Sequence, residues 1–467
     1  MNERTKYLAK NVGVLAVSNF ASKILVFLLV PLYTSVLTTE EFGVFDIVIT
    51  TIILVFPLLT LNIVDALMRF LMDSNNFKEE VATISLRFIL YSTLPILFFL
   101  VTASKLQQFS LIHGLESYIF LYYLFSCLNQ YFIQFAKGTE MVLAMGIAGF
   151  FSTVAMLAGN IIFLLVLKSG LPGFFIANIL GQAVPVFYLA LKTKIWLYIR
   201  KSKVNKILQR EMLLYCVPII ATQIGWWVNS AAGKYVVSFF CGVASTGLLA
   251  VSYKIPAIIN TLQSVFIQAW QISAIKEYGA TDAPIFYGNT FNTLNAFMAT
   301  VCSLLILFTK PIASILFHNE FFIAWQYVPF LLVAIILNGA SGFLGPILSA
   351  KKDSKSMALS ALYAASVNLI LNIILVYLIG IQGSAIATVA SSYVIYHVRK
   401  NAVGHDITIK DYNVIYLTWL LLCLQALCQI YTSFLWLSIV TFVLILLLNK
   451  KSVSQVIVTA RGLKQQI

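Results

Sequence analysis

SGLPGFFIANI, residues 169–179, is echoed by LIGIQGSAIATV at 378–389. Gly170 corresponds to Gly380, Gly173 to Gly383, Ile176 to Ile386 and Ala177 to Ala387. Outward from this pair the correspondence continues. Asn160-Ile161-Ile162 recurs as Asn372-Ile373-Ile374, and Ala136-Lys137 recurs as Ala350-Lys351. The matches keep one order at a period of about 210 residues, the mark of an internal repeat. The repeated segments lie in apolar runs of spanning length, and the copies stand six runs apart. An even shift preserves orientation across a bilayer, so the halves are expected to be parallel repeats related by an axis along the membrane normal.

Composition sets the solvent. Of 467 residues, 60% are hydrophobic and 10% are charged, against about 25% charged in a soluble domain. A soluble surface cannot hide that much apolar side chain. The expected fold class is all-α integral membrane. About fourteen transmembrane helices are anticipated, as two six-helix lobes and a C-terminal helix pair. Their cores are 12–37, 44–68, 83–103, 117–136, 141–167, 173–191, 213–240, 246–270, 289–309, 324–349, 357–379, 383–398, 412–431 and 434–449. Residues 1–195 form the N-terminal lobe, 196–211 a basic cytoplasmic linker, 212–400 the second lobe, and 401–467 the last two helices with a cytoplasmic tail. The opening run is too long for a signal peptide and lacks a small-residue cleavage site, so it reads as a retained first helix.

The net charge of +14 does not point to nucleic acid, because the basic residues sit in short segments between apolar runs. Most of the 31 Lys and Arg fall at the termini and in even-numbered loops, and only Lys105, Lys168 and Lys310 fall in odd-numbered ones. That asymmetry places both termini in the cytoplasm of a multi-pass inner-membrane protein.

Three lysines remain within spans: Lys23, Lys234 and Lys254. Lys23 lies about 20 Å into the first run at a helical rise of 1.5 Å per residue. A lysine at such depth costs about 2.5–3.5 kcal/mol on insertion scales. Asn19 stands one turn from it. In the seventh run Gln223, Trp227, Ser230 and Lys234 share a face. In the eighth, Lys254, Thr261, Ser264, Gln268 and Gln271 do the same. Such stripes are expected to line a watered cavity or to join helices. Lys234 and Lys254 also have stems long enough to snorkel towards the outer interface. Parallel lobes commonly hold a substrate site at their interface, and its excess of positive charge suits an anionic, phosphate-bearing headgroup. Asp65 and Arg69, one turn apart, read either as a self-satisfied pair or as an ion-coupling site. Asp46 is expected to open the second helix near its outer end.

Catalytic and metal-binding constellations are missing. His113, His318, His397 and His405 are scattered over loops and span ends, and the six cysteines form no C-x-x-C pair. There is no phosphate loop or nucleophile elbow, so neither an enzyme nor a protein with a metal or cofactor is expected.

VPLYTSVLTTEEFGVFDIV (30–48), YKIPAIINTLQSVFIQAWQISAIKEY (253–278) and GIQGSAIATV (380–389) resemble the polysaccharide (O-antigen and capsule) flippase branch of the multidrug/oligosaccharidyl-lipid/polysaccharide exporter superfamily. The resemblance implies a V-shaped fold of six plus six helices around a central cavity. It implies export of an undecaprenyl-pyrophosphate-linked oligosaccharide from the inner to the outer leaflet. Membrane lipid, a polymerase and other glycan-assembly proteins are the candidate partners, and proton, sodium ion and membrane potential are the candidate driving forces. It also implies that helices 13 and 14 serve the lipid tail. Lys23 and Lys254 resemble basic positions in the related lipid II flippases. Where members often carry an acid-base-Tyr run, this chain has Gly233-Lys234-Tyr235, so the base stays and the acid is gone. A multidrug antiporter of the same fold, which would favour an acidic cavity, is the alternative. A membrane glycosyltransferase or polymerase is a more distant one.

Overall fold

A computed structural model describes residues 27–73, 78–199, 205–409, 411–431 and 435–464; Asn19 and Lys23 lie outside them. The described backbone is helical apart from short connections, with no strand. Inside a bilayer only intrasegment hydrogen bonds can satisfy amides at this apolarity. Two compact units divide the chain, one ending at Trp227 and one beginning at Val228.

The first unit holds α1 (Val30–Val36), α2 (Thr39–Leu59), α3 (Ile63–Asp73), α4 (Lys78–Ala103), α5 (Glu116–Gly138), α6 (Val142–Asn160) and α7 (Gly170–Thr193). A capping box starts α2: the Thr38 hydroxyl accepts from the Glu41 N–H at 3.2 Å, and Glu41 accepts from the Thr38 N–H at 2.9 Å. Asp46 therefore lies two turns inside α2 rather than at its opening. The expected span 44–68 is broken. Leu61 and Asn62 take left-handed φ values of 50° and 51°, and Pro57 weakens the preceding turn by removing one N–H. A π-helical turn over Ile161–Val166 extends α6. Tyr33, Phe42 and Phe45 of the 30–48 stretch pack on Phe174 of α7, with Phe45 and Phe174 centroids 4.4 Å apart.

α8 (Lys206–Cys241) contributes its first part to the first unit and its second part to the second. The second unit continues with α9 (Val243–Ser252), α10 (Pro256–Lys276), α11 (Ala283–Leu307), α12 (Thr309–Leu316), α13 (Val328–Ala350), α14 (Ser354–Ile379), α15 (Ile381–Val403), α16 (Tyr412–Tyr431) and α17 (Leu435–Lys464). Its core is α13, 83% buried over its most apolar window and packed by α10, α11, α15 and α16. On α4, by contrast, Leu94, Leu97, Phe98 and Val101 are exposed, which is an acyl-chain-facing surface.

The expected spans from the second to the fourteenth fall, among the described residues, mostly on helix, with breaks inside 44–68 and 246–270. Among the described residues, eight helices are long and apolar enough to cross a membrane, or up to ten if each bent pair is one span. The other expected spans either carry more polar residues, as α5 and α15 do, or are shorter, as the apolar part of α17 is.

The repeat is written into the backbone. Left-handed residues recur as Glu140 and Lys352, Gly170 and Gly380, and Lys194 and Gly404, ending or opening equivalent helices at the sequence period. Asn160 and Asn372 are each 1% exposed, and each amide donates to the carbonyl four residues earlier, at 2.7 and 2.9 Å. In both units the last helix of the motif packs on the two before it: α7 on α5 and α6, α15 on α13 and α14. The copies differ at the loop lysines. Lys137 is exposed, whereas Lys351 pairs with Asp406 at 3.0 Å, and that contact holds the Lys351 ammonium above the usual lysine range.

The C-terminal helices dock by polar contacts. Gln425 of α16 is fully buried. It accepts from the Ser303 hydroxyl at 2.6 Å and donates to the Ser303 carbonyl at 3.0 Å and the Ser438 carbonyl at 3.3 Å. Trp419 donates to Asn295 and Asn449 to Thr418. Lipid supplies no hydrophobic drive between helices, so hydrogen bonds and close packing decide such docking. Gln425→Ala is expected to cost about 1–2 kcal/mol, measured as a lowered Tm of purified protein in detergent.

Candidate substrate-binding site

Lys254 stands at the bend between α9 and α10, which meet at 50°. Pro256, the first residue of α10, has no N–H to return to the Ser252 carbonyl, and its ring crowds that carbonyl. The bend therefore follows from the Lys-Ile-Pro order at 254–256. Lys254 is half-buried beside the positive end of the α10 dipole. Lys234 is also half-buried, on the second part of α8, and its carbonyl accepts from the Thr246 hydroxyl of α9 at 3.4 Å. Lys254 lies two turns beyond Thr246, about 12 Å along the helix. Both cations thus belong to the second unit, on neighbouring elements.

The polar stripes divide by role. On α10, the Thr261 hydroxyl donates to Ala257 at 2.8 Å and the Ser264 hydroxyl to Thr261 at 2.8 Å, so both are satisfied within the helix. Gln268 and Gln271 are exposed, as are Gln223 and Ser230 on α8. Trp227 donates from Nε1 to the Thr50 carbonyl of α2 at 2.8 Å, an interhelical tie within the first unit. The buried amide in α10 is Gln263, outside the predicted set, which donates to Ile335 of α13 at 3.3 Å. Its carboxamide occupies the place a Cβ on Gly339 would take.

Asp65 lies in the first turn of α3, just past the break in the second span. Its carboxylate accepts from Asn62 Nδ2 at 2.7 Å and from Gln134 Nε2 of α5 at 3.1 Å. These carboxamides occupy the role expected of Arg69, which is exposed. The Asn62 carbonyl in turn accepts from the Cys216 thiol at 3.3 Å. Gln134 Oε1 is buried without a hydrogen-bond partner among the described residues. A carboxylate, a free amide oxygen and an interrupted helix form a compact oxygen-rich group. No cluster of three or more His, Cys, Asp or Glu fit to hold a metal occurs among the described residues.

Residues 8–271 match the family model described as polysaccharide biosynthesis protein. The chain belongs to that family. Its fold is that of the MOP transporter superfamily. Lipid II flippase MurJ in an inward closed conformation is similar at TM-score 0.67 and 16% identity, over 96% of this chain and 98% of that one. An inward-facing multidrug resistance MATE family transporter of the MOP superfamily is similar at TM-score 0.66 and 14% identity, over 83% and 94%. A MOP superfamily transporter from Pyrococcus furiosus, described as having a binding pocket of reverse polarity, is similar at TM-score 0.59 and 14% identity, over 91% and 97%. No curated protein matches in sequence.

In this polysaccharide biosynthesis protein, two features escaped the sequence reading. The breaks at residues 60–62 and 253–255 interrupt runs that look continuous by hydropathy; Pro57 and Pro256 were the available signals. The partners of Asp65 were hidden because Gln134 comes from a distant helix, and spacing along one helix cannot reveal it.

Proposed function

We propose that this protein is a flippase that exports undecaprenyl-pyrophosphate-linked oligosaccharide units across the cytoplasmic membrane by alternating access, for O-antigen, capsule or exopolysaccharide assembly. The observation that carries the reading is Lys254, half-buried on a proline-made bend between two helices. Discontinuous helices in transporters are where substrates are held, and an ammonium there suits a pyrophosphate. Lys234, on a neighbouring element of the same unit, supplies further positive charge. The inside-negative potential assists outward movement of the anion by about 2.3 kcal/mol per charge per 100 mV. Family membership and the flippase fold of MurJ agree with this reading.

The Asp65 group is the proposed coupling site for a proton or sodium ion. The test reconstitutes the full chain in vesicles with labelled lipid-linked oligosaccharide on one leaflet and follows its exposure on the other. Flipping that rises with an imposed proton or sodium gradient, and that loses the gradient response in Asp65→Asn, is expected. Accumulation of a cationic drug with no movement of the lipid-linked glycan would instead support the multidrug antiporter.

A further inference from the structure

A cavity of about 410 Å³ opens in the second unit, lined in part by Cys241, Ser245, Gln326, Tyr327, Gln382 and Tyr431. Its size falls in the range of about 300–1,000 Å³ typical of small-molecule sites. The groups come from the end of α8, the start of α9, the approach to α13, the α14–α15 turn and the end of α16. All are odd-numbered connections, the side that the charge asymmetry assigns to the outside.

Gln382 is the unusual member. It is 7% exposed, and its Nε2 has no hydrogen-bond partner among the described residues. A buried amide donor left unmade costs about 1–3 kcal/mol, so a native fold retains one where a ligand or water completes it. Gln382 is the second residue of α15, a helix start with no side-chain cap, where the Gly383 N–H donates to the Gly380 carbonyl at 2.9 Å and the Ile381 and Gln382 N–H groups have no intrahelical acceptor. Gly380, at φ +64°, makes the turn that presents this end. Among the described residues the lining contains no Asp, Glu, Lys or Arg, so a phosphate would meet no counter-charge from them. Carboxamides of Gln326 and Gln382 combine donors and an acceptor, matching hydroxyls that both donate and accept. Tyr327 and Tyr431 add faces with an apolar body and a polar tip.

We infer that this cavity is an exit-side subsite for a neutral, polyhydroxylated sugar segment of the transported glycan. The inference rests on the flippase reading for the identity of the sugar. Its location and chemistry rest on the cavity alone.

Cys241 supplies the probe. Oligosaccharide released by mild acid from the host's own lipid-linked pool is titrated into the purified full chain, and alkylation of Cys241 by N-ethylmaleimide is followed by peptide mass spectrometry. Saturable protection of Cys241 is expected, with inorganic pyrophosphate at the same concentration giving none. Gln382→Ala is expected to weaken the protecting affinity about tenfold, the loss of one or two hydrogen bonds in a pocket. Tyr431→Ala, at an exposed position, is expected to weaken it as well and serves if the Gln382 variant does not fold. No protection, protection by pyrophosphate alone, or unchanged protection in both variants overturns the proposal. The same preparation is assayed for flipping. Flipping without protection removes the subsite and leaves the flippase reading standing. Protection without flipping keeps a sugar site and removes that reading.

Discussion

Lys254→Ala is expected to lower the flipping rate of lipid-linked oligosaccharide at least about tenfold, with little change in the amount or Tm of the protein. A hydrogen bond to a charged group contributes about 1.5–3 kcal/mol, which corresponds to about tenfold to a hundredfold in affinity. A purely structural role predicts the reverse pattern, a loss of stability with activity falling only in proportion. Lys254→Arg keeps the charge and adds a bidentate fork, and it should retain most of the activity. Lys254→Gln keeps the polarity, loses the charge and should behave like alanine. The measurement is initial flipping rate in proteoliposomes beside thermal stability of the same samples. Full activity in the alanine variant would remove the pyrophosphate contact from Lys254. A collapse in stability with activity falling in proportion would make the residue a structural one.

Part of this molecule is legible in its sequence, for a physical reason. Periodic features that depend on neighbours close in the chain are visible: apolar spans, the Gly-x-x-Gly turns, and Asn160 with Asn372, whose amides bond within their own helices. Contacts between distant helices are not visible. Gln263 stands off the polar stripe of α10, yet it ties α10 to α13 through the Ile335 carbonyl, as Trp270 does through the Phe343 carbonyl. Gln425 drew no notice and is the hub of the α11–α16–α17 contact. Lys254 was legible as an anomaly because a charge in an apolar run stands out by itself. The bend that frames it was not, since a proline inside a helical run is compatible with either a continuous or a broken helix. Asp65 and Arg69 had the spacing of a helical pair, but spacing gives only opportunity. Two carboxamides offer Asp65 hydrogen bonds with no buried guanidinium to desolvate.

Gly383→Ala is expected to destabilise the second unit by about 3 kcal/mol or more, at the upper end of overpacking costs, and more than any neighbouring glycine-to-alanine change. A Cβ on Gly383 would run into the carbonyl of Leu375 and the amide of Val376 in the antecedent helix α14. Backbone cannot move aside as a side chain can, so the whole helix pair would have to part. Gly173 is the matching position in the first unit, where the Cβ would meet Ser169 Cβ at 2.9 Å and Phe163 Cβ at 3.0 Å. Those approaches are longer than the ones at Gly383, so Gly173→Ala should cost less. Gly380 separates the two reasons for keeping glycine. It has open space around its Cβ position but φ +64° and ψ −146°, a region nearly closed to L residues, so Gly380→Ala should cost only that backbone penalty of about 1–3 kcal/mol. Tm values of the three variants in detergent, or their folded yields by size-exclusion, should rank Gly383 worst and Gly380 mildest. Equal losses at Gly380 and Gly383 would mean that α14 and α15 are not in backbone contact. Gln382 sits between these two glycines, so a shift of α15 away from α14 would also displace its carboxamide. Gly383→Ala should therefore abolish glycan protection of Cys241 even under conditions where the variant remains folded, whereas Gly380→Ala should only weaken it.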